Sequence, residues 1–358
     1  LDRDTLYAFR GSFWGEPEQP NGDLILGSDG ALYGMSVVGG KGNGTVFRVA
    51  PPPPGQTRWT ETTLYSFTYG ADGAYPGAGP IFGADGALYG TTAVTGVAPY
   101  LNGTVFRLAP PTAGETKWTL TTLYTFTGGA DGGQPASGLI LGTDGALYGT
   151  TWYGGTGTHC QRGCGTVFKL TPPSPGQSQW TETVIHCFQG GRDGVYPNQS
   201  LIFGRDGALY GVTQPEMVAG GFASGGTVFK LTPPPPGERQ WTETVLYNFN
   251  SWKDGLTPSS PLILDTSGSL YGLTVEGGAT SSQSCGAVGC GTVFKLAPPT
   301  YPHPPQLQWD KTILYSFHGG DGEMPNARLV FDTSGALYGV TLFGGTGGNG
   351  VAFKLQNK

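Results

Sequence analysis

The chain has 358 residues, among them 64 glycines and 29 prolines, with 12% charged residues, 12% aromatic residues and a formal net charge of −6. Gly and Pro are the poorest helix formers, which excludes a helical fold. The aromatic content and small net charge exclude a disordered chain, the missing Gly-X-Y period excludes collagen, and what remains is a turn-rich all-β protein.

The sequence opens on a short run, Asp4-Thr5-Leu6-Tyr7-Ala8-Phe9. Its Leu-Tyr-x-Phe pattern returns at 64–67, 123–126, 246–249 and 314–317, and in degenerate form as Ile185-His186-Cys187-Phe188. The spacing is about 60 residues, which calls for a repeat architecture. Each period holds four strand-like runs. The first is apolar and begins near Leu24, Pro80, Leu139, Leu201, Leu262 and Leu329. An Asp-Gly or Ser-Gly pair follows (29–30, 85–86, 144–145, 206–207, 267–268, 334–335), a strong hairpin signal because the turn needs positive φ. The second run is Ala-Leu-Tyr-Gly and the third is Gly-Thr-Val-Phe-Arg/Lys. A Pro-rich loop then leads into the fourth, opened by Trp59, Trp118, Trp180, Trp241 and Trp309. Four antiparallel strands repeated six times predict a six-bladed β-propeller forming one domain over residues 1–358. The last copy ends at Lys354 without a fourth run, while residues 4–9 are a fourth run without the other three. The N-terminal strand is therefore expected to complete the C-terminal blade and close the ring, leaving no free sheet edge.

The combined pattern, Leu-Tyr-x-Phe, Asp-Gly-x-x-Pro, Asp-Gly-Ala-Leu-Tyr-Gly-Thr-Thr and Gly-Thr-Val-Phe-Lys-Leu, resembles the GloVer tandem-repeat family, named for Gloeobacter and Verrucomicrobium, along essentially the whole chain. The resemblance implies an exported bacterial protein, often with a C-terminal anchor, and no settled activity. This sequence departs from that pattern by ending at Lys358 without an anchor. No catalytic residue can be carried over from the family.

In an up-and-down blade successive loops alternate between two ends. The Asp-Gly hairpins and Pro-rich loops share one end and are nearly uniform, which reads as structural. The loops between the second and third runs share the other end with the connections between blades, and there the repeats diverge. Variable loops on a rigid scaffold are where binding resides. These loops carry Tyr100, Trp152, Tyr153, Met217, Phe222 and Phe343, with Glu216 and Glu276, and the connections add Trp14, Tyr69, Tyr75, Tyr196 and Trp252. Aromatic rings beside carboxylates suit the CH faces and hydroxyl edges of sugars; equally, such rings pack loops together. The Asp-Gly-x-x-Pro motif at Asp72, Asp131, Asp193, Asp254 and Asp321, with Glu16 and Pro20 at the matching ends in the first blade, reads as a capped turn rather than a Ca²⁺ ring, because Ca²⁺ needs six to eight converging oxygens.

Residues that depart from the repeat complete the candidate set. Asp23 and Arg328 precede the first strands of blades one and six, as a structural ion pair or a ligand anchor. His186 replaces a Tyr, either as a general base or as packing. His159, His303 and His318 have no metal-ligand spacing, so neither a metal nor a cofactor is expected. Cys160/Cys164 and Cys285/Cys290 fall in matching loops and suggest two local disulfides, hence an extracellular or periplasmic location, with Cys187 a buried free thiol. With 19 Lys+Arg against 25 Asp+Glu there is no basic surface for nucleic acid, and no run approaches the roughly 18 apolar residues of a membrane span. The expected function is that of a secreted, monomeric propeller that degrades a polysaccharide or oligosaccharide as hydrolase or lyase. Glu216, Glu276, Asp23 and His186 are the catalytic candidates. Arg328, Trp152, Tyr153, Trp14, Trp252, Tyr196 and Phe343 are the substrate-binding candidates. A non-catalytic glycan- or protein-binding propeller and a structural surface protein are the alternatives.

Overall fold

The computed structural model describes residues 5–95, 102–135, 137–218, 221–278, 285, 288–299 and 309–356, and the side chains of all of these except 217, 218 and 221–224. The fold is a six-bladed β-propeller built from antiparallel sheets whose strands follow sequence order. By compactness the chain divides into two units, residues 1–155 with 165–184, and residues 156–164 with 185–358.

In the first unit, blade one runs Pro17–Leu26, Leu32–Gly39, Thr45–Ala50 and Thr60–Ser66. Blade two runs Ile81–Phe82, Leu88–Thr92, Thr104–Ala109 and Thr119–Thr125. Blade three begins with Ile140–Leu141, Leu147–Thr151 and Thr166–Thr171, and its last strand, Thr181–Cys187, crosses into the second unit. There blade four runs Ile202–Phe203, Leu209–Val212, Thr227–Thr232 and Thr242–Asn248, with a side hairpin of Glu216–Val218 and Gly221–Ser224. Blade five contains Ile263–Leu264, Leu270–Glu276, Thr292–Ala297 and Asp310–Ser316, and blade six Val330–Phe331, Leu337–Phe343 and Ala352–Leu355.

Each letter of the repeat has a packing reason. The glycine of Leu-Tyr-Gly makes room for the Phe of the third strand: a Cβ at Gly149 would come within 2.7 Å of Phe168 Cζ, and one at Gly211 within 2.5 Å of Phe229 Cζ. The Phe of Leu-Tyr-x-Phe packs edge-on against the third-strand Phe of the following blade, as in Phe67–Phe106 at 5.3 Å, Phe126–Phe168 at 5.0 Å and Phe249–Phe294 at 5.3 Å. These rings are fully buried, and edge-to-face contact adds to the hydrophobic gain of removing them from water. In blades one, two, four and five the Leu of the same motif has no partner across the ladder: Val105 faces Tyr124 and Phe106 faces Thr122, so Leu123 is an extra residue. That β-bulge bends the outer strand at a fixed place.

A second lock joins consecutive blades. The residue before the Pro of Asp-Gly-x-x-Pro has positive φ in every blade: Gln19 53°, Tyr75 55°, Gln134 52°, Tyr196 53°, Thr257 58° and Met324 54°. In blades two to six its N–H is spent on a carbonyl just ahead of the previous blade's Gly-Thr-Val-Phe, for example Gln134 N to Asn102 O at 3.1 Å and Met324 N to Cys290 O at 3.0 Å. The Pro then sits on the Gly of that motif. Pro has no N–H to offer a ladder, so the first strand is interrupted in blades two to six, whereas blade one keeps Pro17–Leu26 continuous through Pro20 with a register shift between Asn21 and Ile25. This is why it is two residues long in blades two to four, where the sequence promised a full run, and why Leu256–Pro258 and Glu323–Pro325 are separate short strands in blades five and six.

Residues 5–10 have no strand assignment, so the expected pairing of the N-terminal strand with the last blade is not among the observed ladders. Phe9 nevertheless stands 4.9 Å edge-on to Phe47, the relation Phe67 has to Phe106. No helix among the described residues is long and apolar enough to cross a membrane.

Candidate active site

Two sets of acids organise each blade, and they separate the repeat's structural chemistry from its exceptions. At the hairpin end, Tyr33 OH donates to Asp29 at 3.0 Å and Arg48 pairs with the same carboxylate at 2.6 Å. The arrangement recurs as Tyr89–Asp85–Arg107, Tyr148–Asp144–Lys169 and Tyr210–Asp206–Lys230. In blades five and six the Asp moves two positions earlier, to Asp265 and Asp332, and still receives Tyr271 OH and Tyr338 OH at 3.0 Å. Burial opposes ionisation of Asp29, Asp85, Asp144 and Asp206, but the basic partner and the hairpin N–H outweigh it and hold each below the usual carboxylate range. This end is structural, as its uniformity suggested; the role of the Arg/Lys in Gly-Thr-Val-Phe-Arg/Lys was not read from the sequence.

At the other end the Asp of Asp-Gly-x-x-Pro receives the Tyr of its own fourth strand: Tyr65 to Asp72 at 3.1 Å, Tyr124 to Asp131 at 3.0 Å, Tyr247 to Asp254 and Tyr315 to Asp321 at 2.5 Å. Glu16 takes the same part in blade one, receiving Tyr7 OH at 2.9 Å and the Arg10 guanidinium. Asp72 also accepts the Thr68 and Gly70 N–H groups. These carboxylates are therefore turn caps. Among the described residues no group of three or more His, Cys, Asp or Glu side chains is placed to hold a metal. The near-constant seven-residue spacing of Tyr and Asp was the sequence signal for this pair.

One copy is different. In place of Tyr, His186 Nε2 lies 3.0 Å from Asp193, which also accepts the Gln189 N–H. Asp193 closes a one-turn 3₁₀ segment, Gly191–Asp193. The first N–H of that turn, Gly191, donates to Glu216 Oε2 at 3.0 Å, and the other oxygen of Glu216 pairs with His159 Nε2 at 2.7 Å. Glu216 is only 7% exposed, while the His159 side chain is 58% exposed. His159 reaches this place because it precedes the Cys160–Cys164 disulfide (Cα–Cα 5.2 Å) and packs on Gly190, where a Cβ would come within 2.7 Å of its own. His186, Asp193, Glu216 and His159 thus form two His–carboxylate pairs joined through one short turn, all within the second unit. Beside them, Glu243 of blade four has its pKa pushed up to about 7, first by burial and then by Asp193.

Glu276 ends the strand Leu270–Glu276, half-buried, with Oε2 lacking a partner and its pKa raised by burial; among the described residues no contact joins it to the His–carboxylate pairs. Asp23 is exposed on Pro17–Leu26, and Arg328 is half-buried ahead of Leu329. Trp14 is exposed beneath Arg10 and edge-on to Phe13, and Trp152 stacks on Tyr153 at 6.1 Å. Tyr196 N–H donates to Cys164 O at 2.7 Å, which puts it beside the disulfide loop. Trp252 and Phe343 are exposed. Cys285–Cys290 is the second disulfide, and Cys187 is free but half-buried rather than buried. Its neighbour Phe188, just past the strand, is the fully buried one. His318 lies 3.5 Å from Asp321. Tyr100 and His303 are outside the described residues, as are the side chains of Met217 and Phe222.

Among known folds the chain is similar to the PQQ-bound aldose sugar dehydrogenase of Streptomyces coelicolor (12% identity, TM-score 0.51, covering 94% of this chain and 93% of that one). It is also similar to a glucose dehydrogenase (12% identity, TM-score 0.50, covering 95% and 97%). At this identity the likeness is one of fold. No curated protein matches the sequence. A family model described as the Gloeobacter/Verrucomicrobia repeat matches residues 2–213, 119–301 and 158–358.

Proposed function

We propose, from the premise that this chain belongs to the Gloeobacter/Verrucomicrobia repeat family, that it is an extracellular glycan-cleaving propeller whose acid–base groups are His186, Asp193, Glu216 and His159. The observation that carries the reading is a coupled exception. Five copies of the blade connection keep a Tyr–carboxylate pair; the one that replaces Tyr by His also gains the His159–Glu216 pair on the same turn. Asp193 orients His186 as a base is oriented by a carboxylate in other acid–base sites. Glu216, buried and held at both oxygens, supplies a second carboxyl group, and cleavage of a glycosidic bond uses one group to take a proton and another to give one. The sugar-related fold neighbours support a carbohydrate substrate, and the two disulfides support an oxidising compartment.

The test is product release from a polysaccharide panel by wild type and His186→Tyr. That substitution restores the residue found in the five other copies, so the fold is retained while the imidazole is lost. Loss of turnover at unchanged Tm supports the reading. Full activity in His186→Tyr together with Glu216→Gln refutes it. Ultraviolet absorbance of an unsaturated product separates a lyase from a hydrolase. A binding module without turnover is the second reading, favoured by the exposed rings of Trp14, Trp252 and Phe343; it predicts glycan retention by both variants and no product from wild type.

A further inference from the structure

We infer that the site around His186 and Glu216 takes an anionic sugar, one bearing a carboxylate or sulfate, and that Arg162 and Arg192 recognise the anion. The inference rests on the glycan reading of that site. It starts from the scarcity of cations: 19 Lys and Arg in 358 residues. The hairpin triads hold Arg48, Arg107, Lys169 and Lys230, and Lys354 lies 3.7 Å from Asp332. Lys295 lies over Tyr271, the ring that donates to Asp265. Arg10 is held by Glu16, and Lys311 by the Asp254 carbonyl. Arg58, Lys117, Arg205 and Arg239 lie in the hairpin and Pro-rich loops at the opposite end of the blades. Lys41 and Lys253 stand singly in other loops, Arg328 is half-buried ahead of Leu329 and is not free, and Arg3 and Lys358 lie outside the described residues.

Arg162 and Arg192 differ from all of these. Arg162 sits inside the Cys160–Cys164 loop, three residues from His159, and Arg192 is the middle residue of the turn Gly191–Asp193. Both are exposed, and neither has an ion-pair or hydrogen-bond partner among the described residues. The segments that carry them are tied together by the Glu216 bonds to His159 and Gly191. The nearby carboxylates do not compete for the guanidinium groups, because Glu216 is bound to His159 and Gly191 N–H, and Asp193 to His186 and Gln189 N–H. The result is two free guanidinium groups beside internally matched carboxylates, in a chain of net charge −6. A guanidinium recognises carboxylate and sulfate through paired N–H donors, and it is the side chain suited to that task.

The test is calorimetric titration of wild type and Arg162→Gln/Arg192→Gln with polygalacturonate, dextran sulfate and an uncharged glucan. Wild type should bind an acidic polymer and the double variant should bind it at least about tenfold more weakly at unchanged Tm. The arm that responds, carboxylated or sulfated, names the anion. Equal wild-type affinity for the uncharged glucan, or full affinity of the double variant for the acidic polymers, overturns the anion assignment and leaves the glycan site standing. Absence of binding to all three polymers overturns both.

Discussion

Glu182 and Glu243 give a prediction whose size follows from the structure. They occupy equivalent positions in the fourth strands of blades three and four, each with a buried Oε1 that lacks a partner. Burial first, and then the nearby Asp131 or Asp193, pushes both up to about 7. Below about pH 4.5 the carboxyls are protonated in folded and unfolded chains alike and cost nothing. Between about 4.5 and 7 the folded chain keeps protons that the unfolded chain releases, so stability falls as pH rises, and above 7 the full penalty remains. An unscreened shift of this size is worth about 3.4 kcal/mol per group. Both side chains are only half-buried, and solvent screening reduces this to about 1–1.5 kcal/mol each. Glu61 and Glu276, raised chiefly by burial, act in the same sense. Lys311, lowered to about 8 by burial, acts in the opposite sense and at higher pH. The hairpin aspartates act below the window. Glu182→Gln/Glu243→Gln, measured by urea denaturation, should match wild type near pH 4.5 and exceed it by about 2–3 kcal/mol at pH 8. A gap that is the same at both pH values, or absent at both, refutes the assignment of these two acids as the buried charges.

Three further outcomes follow from the packing. Gly103→Ala puts a Cβ 2.5 Å from Pro135 Cδ at a φ of 76°, so it should destabilise by about 2–4 kcal/mol and lower Tm without changing any charge. Phe126→Ala removes a fully buried ring between blades two and three and should cost about 3–5 kcal/mol in denaturant titrations. If the N-terminal segment closes the ring, Phe9→Ala should approach that loss; a cost under about 1 kcal/mol would mean Phe9 is not an inter-blade ring. Asp85→Asn removes the charge that pairs with Arg107 and leaves one acceptor oxygen for Ala87 N–H, Tyr89 OH and Arg107, and at this partly exposed site it should cost about 0.5–1.5 kcal/mol, less at high salt.

The fold was readable because its signals are local and recur six times. Asp29-Gly30 and its equivalents needed only turn chemistry, and the short spacing from Cys160 to Cys164 fits one loop. What could not be read were relations across blades. Nothing within one period says that Pro135 rests on Gly103, that Gln134 needs positive φ, or that Phe126 meets Phe168. The candidate site divides along the same line. His186 and Glu216 were visible as exceptions, but Asp193 was masked by belonging to the repeat. His159 was set aside because metal-ligand spacing was the wrong criterion; its partner, Glu216, is 57 positions away in the next blade. Glu276 has the same chemistry as Glu216 on paper, but among the described residues its Oε2 has no partner, whereas both oxygens of Glu216 are held.

Departure from the repeat does not by itself mark function. Two residues after the Trp that opens the fourth run, the five copies have Glu61, Leu120, Glu182, Glu243 and Lys311, a carboxylate, a hydrocarbon and an ammonium at equivalent places between blades. The scaffold tolerates all of them at a cost of a few kcal/mol or less. A lone Tyr-to-His change at 186 would belong to the same tolerated class, since the imidazole reproduces the bond to Asp193 at 3.0 Å. What separates it is that independent exceptions meet at one turn. A lengthened, disulfide-closed loop delivers His159, an added hairpin in blade four begins at Glu216, and the Gly191 N–H joins them to Asp193. Packing requires none of these together, because the other five copies hold the turn through a Tyr and a carboxylate, without a second His–carboxylate pair joined to it. His186→Tyr therefore divides the two explanations cleanly: a tolerated variant leaves every property unchanged, and a working group leaves only the fold.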